Sequence, residues 1–177
     1  MEADEVLRFW FDRDRKAWFE KNPAFDEEIR RRFQSLYELG AAGKLEAWKQ
    51  APASCLALIV LLDQFPRNMF RNTARAFKAD PAARDAAHAI VERGWDGSMS
   101  IDERTFAYLP FEHSESPADQ ERSCELMKPL GEEIFRYAQR HKEIIGRFGR
   151  FPHRNAALGR ASTLEEIEFL KTPGSSF

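Results

Sequence analysis

Residues 56–71 read LALIVLLDQFPRNMFR, and the fold turns on how this stretch is interpreted. Seven consecutive apolar residues, Leu56 to Leu62, leave no polar face, so the segment must be buried on every side. Helix is favoured over strand because Pro52 suits a first helical turn and Pro66 should forbid continuation beyond it. Asp63 then falls in the last turn of a buried helix, where the macrodipole disfavours a carboxylate by roughly 0.3–1 kcal/mol. Burial adds a larger cost unless a cation or several donors meet the charge. Asp63 is therefore expected to sit within ion-pairing distance of an arginine, with Arg67, Arg150 and Arg154 the candidates. A polar break in an otherwise consistent apolar pattern marks a functional or strained position.

Working outward, the remaining segments carry helical spacing throughout. Val6, Leu7, Trp10 and Phe11 form one stripe. Phe25, Ile29, Phe33, Leu36 and Tyr37 form a second, opposite a solvated face of Glu27, Glu28 and Arg30 to Arg32. Trp18 and Phe19 are assigned to a connecting segment. Asp80-Pro81 opens an alanine-rich helix closed by Gly94, and Asp102 caps another that should stop at Leu109-Pro110. Ser116-Pro117 starts a helix interrupted at Pro129, and a further one runs from about Gly131 to Phe148. Ser162 with Glu165 predicts a capping box for a last short helix. The tail from Thr172 to Phe177 is expected to be loose. No segment shows sustained period-2 alternation. The expectation is an all-α fold of about eight helices in one compact array, a single domain over 1–177.

Composition narrows the function classes. The formal net charge of -2 and pI near 6.1 argue against nucleic acid as a partner. The longest apolar run is far below the roughly 20 residues needed to span a bilayer, so no membrane association is expected and the chain reads as cytoplasmic. Cys55 and Cys124 have no CxxC spacing and are expected as buried reduced thiols.

Three loops, each at the end of an apolar helix, collect the polar chemistry. The first holds Asp63, Gln64, Arg67, Asn68 and Arg71. The second holds Glu112, His113, Ser114 and Glu115, followed on the next helix by Asp119, Gln120 and Ser123, which share a face with Ser116. The third holds Arg147, Arg150, His153, Arg154, Asn155 and Arg160. His113, Glu115 and Asp63 are the candidate acid–base groups. Gln64, Arg67, Asn68, Arg150, His153, Arg154 and Asn155 are the candidate ligand-binding groups, since guanidinium forks suit carboxylates and phosphates. His113, His141 or His153 with Asp63 or Glu112 lacks any tight ligand spacing, so no metal is assigned, and no cofactor is implied. Ser114 lacks a nucleophile-elbow context.

The segments LLDQFPRNMFR, ERTFAYLPFEHSES with Asp119-Gln120, and RFGRFPHRNAALGRASTLEEIEFL, with Trp10-Phe11 and Phe25-Asp26, resemble the bacterial family catalogued as domain of unknown function 924. The resemblance covers nearly the whole chain. It implies a tetratricopeptide-like, right-handed α-α superhelix and supplies no activity. Three functions stay open: a pocket for a small anionic molecule with or without acid–base catalysis, a tetratricopeptide-like module gripping a peptide or protein, and a polar cluster that only specifies packing. Aromatic and proline density around the loops favours the small-molecule pocket.

Overall fold

A computed structural model describes residues 2–176, and its backbone is helical with no strand among the described residues. The α-helices are α1 (Glu2–Phe11), α2 (Arg15–Phe19), α3 (Pro23–Ala41), α4 (Pro52–Ile59), α5 (Phe65–Met69), α6 (Asp80–Glu92), α7 (Ile101–Glu112), α8 (Pro117–Met127), α9 (Glu132–Phe148), α10 (Asn155–Leu158) and α11 (Leu164–Leu170). Short 3-10 turns join several of them. No helix among the described residues is long and apolar enough to cross a membrane. The chain divides into two compact units, residues 1–71 with 75–110, and residues 72–74 with 111–177.

In the first unit α4 packs against α1 and α6, and α3 against α5. Leu56 to Leu62 are all buried, as the apolar run demanded. An aromatic cluster fills the space beside them: Phe9 lies 4.9 Å from Phe33, Phe33 4.9 Å from Phe65, and Trp10 5.4 Å edge-on to Phe106. Such pairs each add roughly 0.5–1.5 kcal/mol beyond their burial. In the second unit α8 packs along α9. Ile144, Ile145 and Phe151 form a smaller core, flanked by Phe148 and Phe169.

Several boundaries differ from the sequence reading. Pro66 does not end the helix. Instead α4 opens into a π-helical turn over Val60–Gln64, whose exit is marked by the Phe65 amide donating to the Val60 carbonyl, and α5 carries Pro66 in its first turn. The wider turn seats the proline where its missing N–H does least harm. Pro110 likewise lies inside α7, which continues to Glu112. The start of α7 is closed by Ser100 and Glu103, not Asp102: the Ser100 amide donates to Glu103 Oε2 at 2.8 Å and the Glu103 amide to Ser100 Oγ at 3.3 Å. Trp18 and Phe19 end the short helix α2, capped by Asp14. The capping box of α11 is Thr163 with Glu166, one residue later than the predicted pair. The tail is tied down at Ser175, which is buried and donates to the Leu170 carbonyl at 3.1 Å. Phe177 lies outside the described residues.

Candidate functional site

Each unit holds its own buried polar cluster. In the first, the π-helical turn carries Asp63, which is fully buried. Gln64 Nε2 donates to Asp63 Oδ2 at 2.6 Å, and Arg67 Nη1 lies 3.2 Å from Oδ1. The same Nη1 donates to the Asp63 carbonyl at 2.7 Å. Arg67 is also held by Asp80 through a two-point contact at 2.8 and 3.0 Å. Burial works against the Arg67 charge, and the two carboxylates more than offset it, so its pKa rises. Asn68 and Arg71 meet on Asp26, at 2.8 Å for the amide and 2.6 and 2.8 Å for the guanidinium. The expected cation for Asp63 is therefore Arg67, one helical turn away.

The second cluster is built where α7 ends. Gln120 Nε2 donates to the carbonyls of Glu112 and Ser114, both at 2.7 Å, and so fixes the turn leading into α8. Ser114 Oγ donates to Asp119 Oδ2 at 2.6 Å. Glu112 and His141, each only 4% exposed, face one another, with Oε1 3.2 Å from Nδ1. His141 Nδ1 is also 2.9 Å from the Tyr137 carbonyl one turn earlier on α9. Burial pushes His141 down to about 3, and its neighbours His113, His153 and Arg154 add to the shift. The ring is neutral at pH 7. Both partners of Nδ1 are acceptors, so Nδ1 carries the proton and Nε2 presents a lone pair.

Around this pair lie the other histidines and one buried arginine. His113 is 6.3 Å from His141 by ring centroid, His141 is 5.6 Å from Phe151, and Phe151 is 5.7 Å from His153. Arg154, 6% exposed, lays its guanidinium 4.6 Å over the Phe151 ring and donates to the His113 carbonyl at 2.9 Å. His113 and His153 are only half-buried.

The remaining arginines of the third loop are neutralised by carboxylates. Arg160 grips Glu115 at 2.8 and 2.9 Å, and Glu115 also accepts the Phe151 amide at 2.8 Å. Burial would raise Glu115, but Arg160 and that amide hold it below its ordinary value. Arg150 grips buried Glu166 at 2.7 and 2.8 Å, which sets the Glu166 carboxyl at about 2. Asn155 donates to Ser162 Oγ at 3.0 Å and lies 3.3 Å from Glu166 Oε2.

Of the residues singled out from sequence, Asp63, Gln64, Arg67 and Asn68 thus belong to the first unit. His113, Glu115, Arg150, His153, Arg154 and Asn155 belong to the second. Glu112, Gln120 and Arg160 belong to the polar loops read from sequence, and His141 and Glu112 are weighed there only as metal ligands; none of the four is among the candidate acid–base or ligand-binding groups. Glu112 and His141 are separated by more than two dozen residues on different helices, and no local spacing announces such a pair. No group of three or more His, Cys, Asp or Glu side chains among the described residues could hold a metal ion.

Residues 6–174 match the family model described as "Bacterial protein of unknown function (DUF924)". A solved structure of a protein of unknown function from Agrobacterium tumefaciens is similar, with 44% identity and a TM-score of 0.93 over 96% of this chain and 97% of that one. No functionally curated protein matches.

Proposed function

The chain belongs to this DUF924 family of bacterial proteins, and from that premise we propose that its second unit binds a small anionic molecule at His113, His153 and Arg154. In this reading the Glu112–His141 pair orients the neutral imidazole beside the ligand. The observation that carries the reading is the neutral, buried His141, whose Nδ1 is anchored by Tyr137 and Glu112, with His113, His153 and the Arg154 guanidinium nearby. A guanidinium and two imidazoles offer charge recognition. A neutral imidazole oriented by a carboxylate offers a hydrogen-bond acceptor at Nε2. Buried titratable groups perturbed by both burial and specific neighbours are what a site for a charged ligand requires.

A structural reading is favoured by a different observation. Arg67, Arg150 and Arg160 each make two-point contacts with Asp80, Glu166 and Glu115, and so act as braces. In the binding reading Arg154, which lies over Phe151 and donates to the His113 carbonyl, and the histidines near it meet the anion, while Asp63, Gln64, Asn68 and Asn155 have a supporting role.

Thermal melts of the wild type and Arg154→Ala, with a panel of phosphorylated and carboxylated metabolites, test the proposal. A ligand at about 100 times its Kd adds about 2.7 kcal/mol. For a chain of this length that raises the wild-type Tm by about 5–10 °C, and the variant should show no such rise. If no metabolite stabilises the wild type and Arg154→Ala itself costs about 3–5 kcal/mol, the cluster is packing only.

A further inference from the structure

Two side chains on α8 point to what else the ligand carries. Gln120 and Ser123 are 1% and 0% exposed, and neither Gln120 Oε1 nor Ser123 Oγ has a hydrogen-bond partner among the described residues. The Gln120 amide is not free to turn over, because its nitrogen donates to two carbonyls, those of Glu112 and Ser114. Its oxygen must therefore be the acceptor left facing the interior. Ser123 lies one helical turn on, along the same buried face of α8, which packs on α9, the helix of His141. Glu112 reaches this region as well. The Cys124 thiol beside Ser123 is raised by burial.

We propose that Gln120 Oε1 and Ser123 Oγ form a donor-recognising subsite, which takes a hydroxyl or amine carried by the anionic ligand. The inference rests on the anion-binding reading and narrows it to a substrate class, hydroxy or amino acids and their phosphorylated counterparts. A hydroxyl donates to Gln120 Oε1 and accepts from Ser123 Oγ; an amine donates to both. A buried acceptor costs free energy for as long as no donor meets it, so a ligand lacking the donor binds without relieving that cost. Sites built around hydrogen bonds to a hydroxyl or amine accordingly discriminate strongly against the bare analogue.

The test is calorimetric titration of the full chain with succinate, malate and aspartate, and with propyl phosphate and glycerol 3-phosphate. Within at least one set, the hydroxy or amino member should bind at least tenfold more tightly than the bare one. Ser123→Ala removes an unpartnered hydroxyl, so its Tm should be unchanged or slightly higher, while the tenfold preference collapses. Equal binding within each set, or a preference that survives Ser123→Ala, overturns the subsite and leaves the anion reading standing. If none of the five binds, the anion reading falls and takes the subsite with it.

Discussion

Asp63→Asn is the substitution whose cost the first unit defines most closely. The carboxylate accepts from Gln64 Nε2 at 2.6 Å on one oxygen and faces Arg67 Nη1 at 3.2 Å on the other, with no solvent exposure. Asparagine keeps the shape but has one acceptor and one donor end. Whichever way the amide turns, one neighbour keeps a bond and the other meets an N–H. The loss is one charge-assisted hydrogen bond, about 1.5–3 kcal/mol, plus a buried donor left unmet, about 1–3 kcal/mol. Arg67 retains Asp80 at 2.8 and 3.0 Å, which keeps its charge from being stranded. The sum is about 2.5–6 kcal/mol. At about 2–4 °C per kcal/mol for a chain of this length, Tm should fall by about 5–24 °C. Urea titration should give the same loss as a lower midpoint at unchanged slope. A loss under about 1 kcal/mol would show that the π-helical turn does not depend on this charge, and the reasoning from Asp63 would fail.

Other outcomes follow from the same contacts. Leu61→Ala, at a fully buried site, should cost about 2–5 kcal/mol in urea unfolding through lost burial and cavity. Glu166 sits at about 2 in the folded chain against an ordinary value of 4.5, so its contribution is present above pH 4.5 and is lost as pH falls towards 2. Glu166→Gln should flatten the stability profile in that window. His141 has the opposite charge type but the same sign of pH dependence. The unfolded ring protonates near 6.5 and the folded one only near 3, so stability falls as pH drops from 6.5 towards 3. His141→Gln should remove up to one proton's worth of slope in that range, read from melts at a series of pH values.

What the sequence disclosed is uneven, and the reasons are physical. The run Leu56 to Leu62 announces its burial because no polar residue interrupts it, and Asp63 with Arg67 is legible because four-residue spacing on a helix brings them together. Pro66 and Pro110 were read as helix ends, which is the local rule. Wide-turn geometry at Val60–Gln64 accommodates Pro66, and helical backbone persists through Pro110. Ser162 and Thr163 are equally good caps, and the choice went to Thr163 because Ser162 Oγ accepts the Asn155 amide instead. Glu115 and Arg150 were picked out for their charge, yet their partners Arg160 and Glu166 are supplied by tertiary packing. The Glu112–His141 pair was invisible for the same reason: α7 and α9 each present it as one polar residue on an otherwise ordinary helix.

The chain has four histidines, and this makes one measurement especially direct. Nitrogen NMR of the imidazole rings reports protonation, tautomer and contact at each. His88, on α6 beside Glu92 in the first unit, serves as an internal control. The account predicts that His141 stays neutral with the proton on Nδ1 down to about pH 4. It also predicts that titration with a binding anion shifts His113, His141 and His153 together while His88 stays still. A His141 that titrates near 6.5, or an anion response shared equally by His88, would contradict the proposed site.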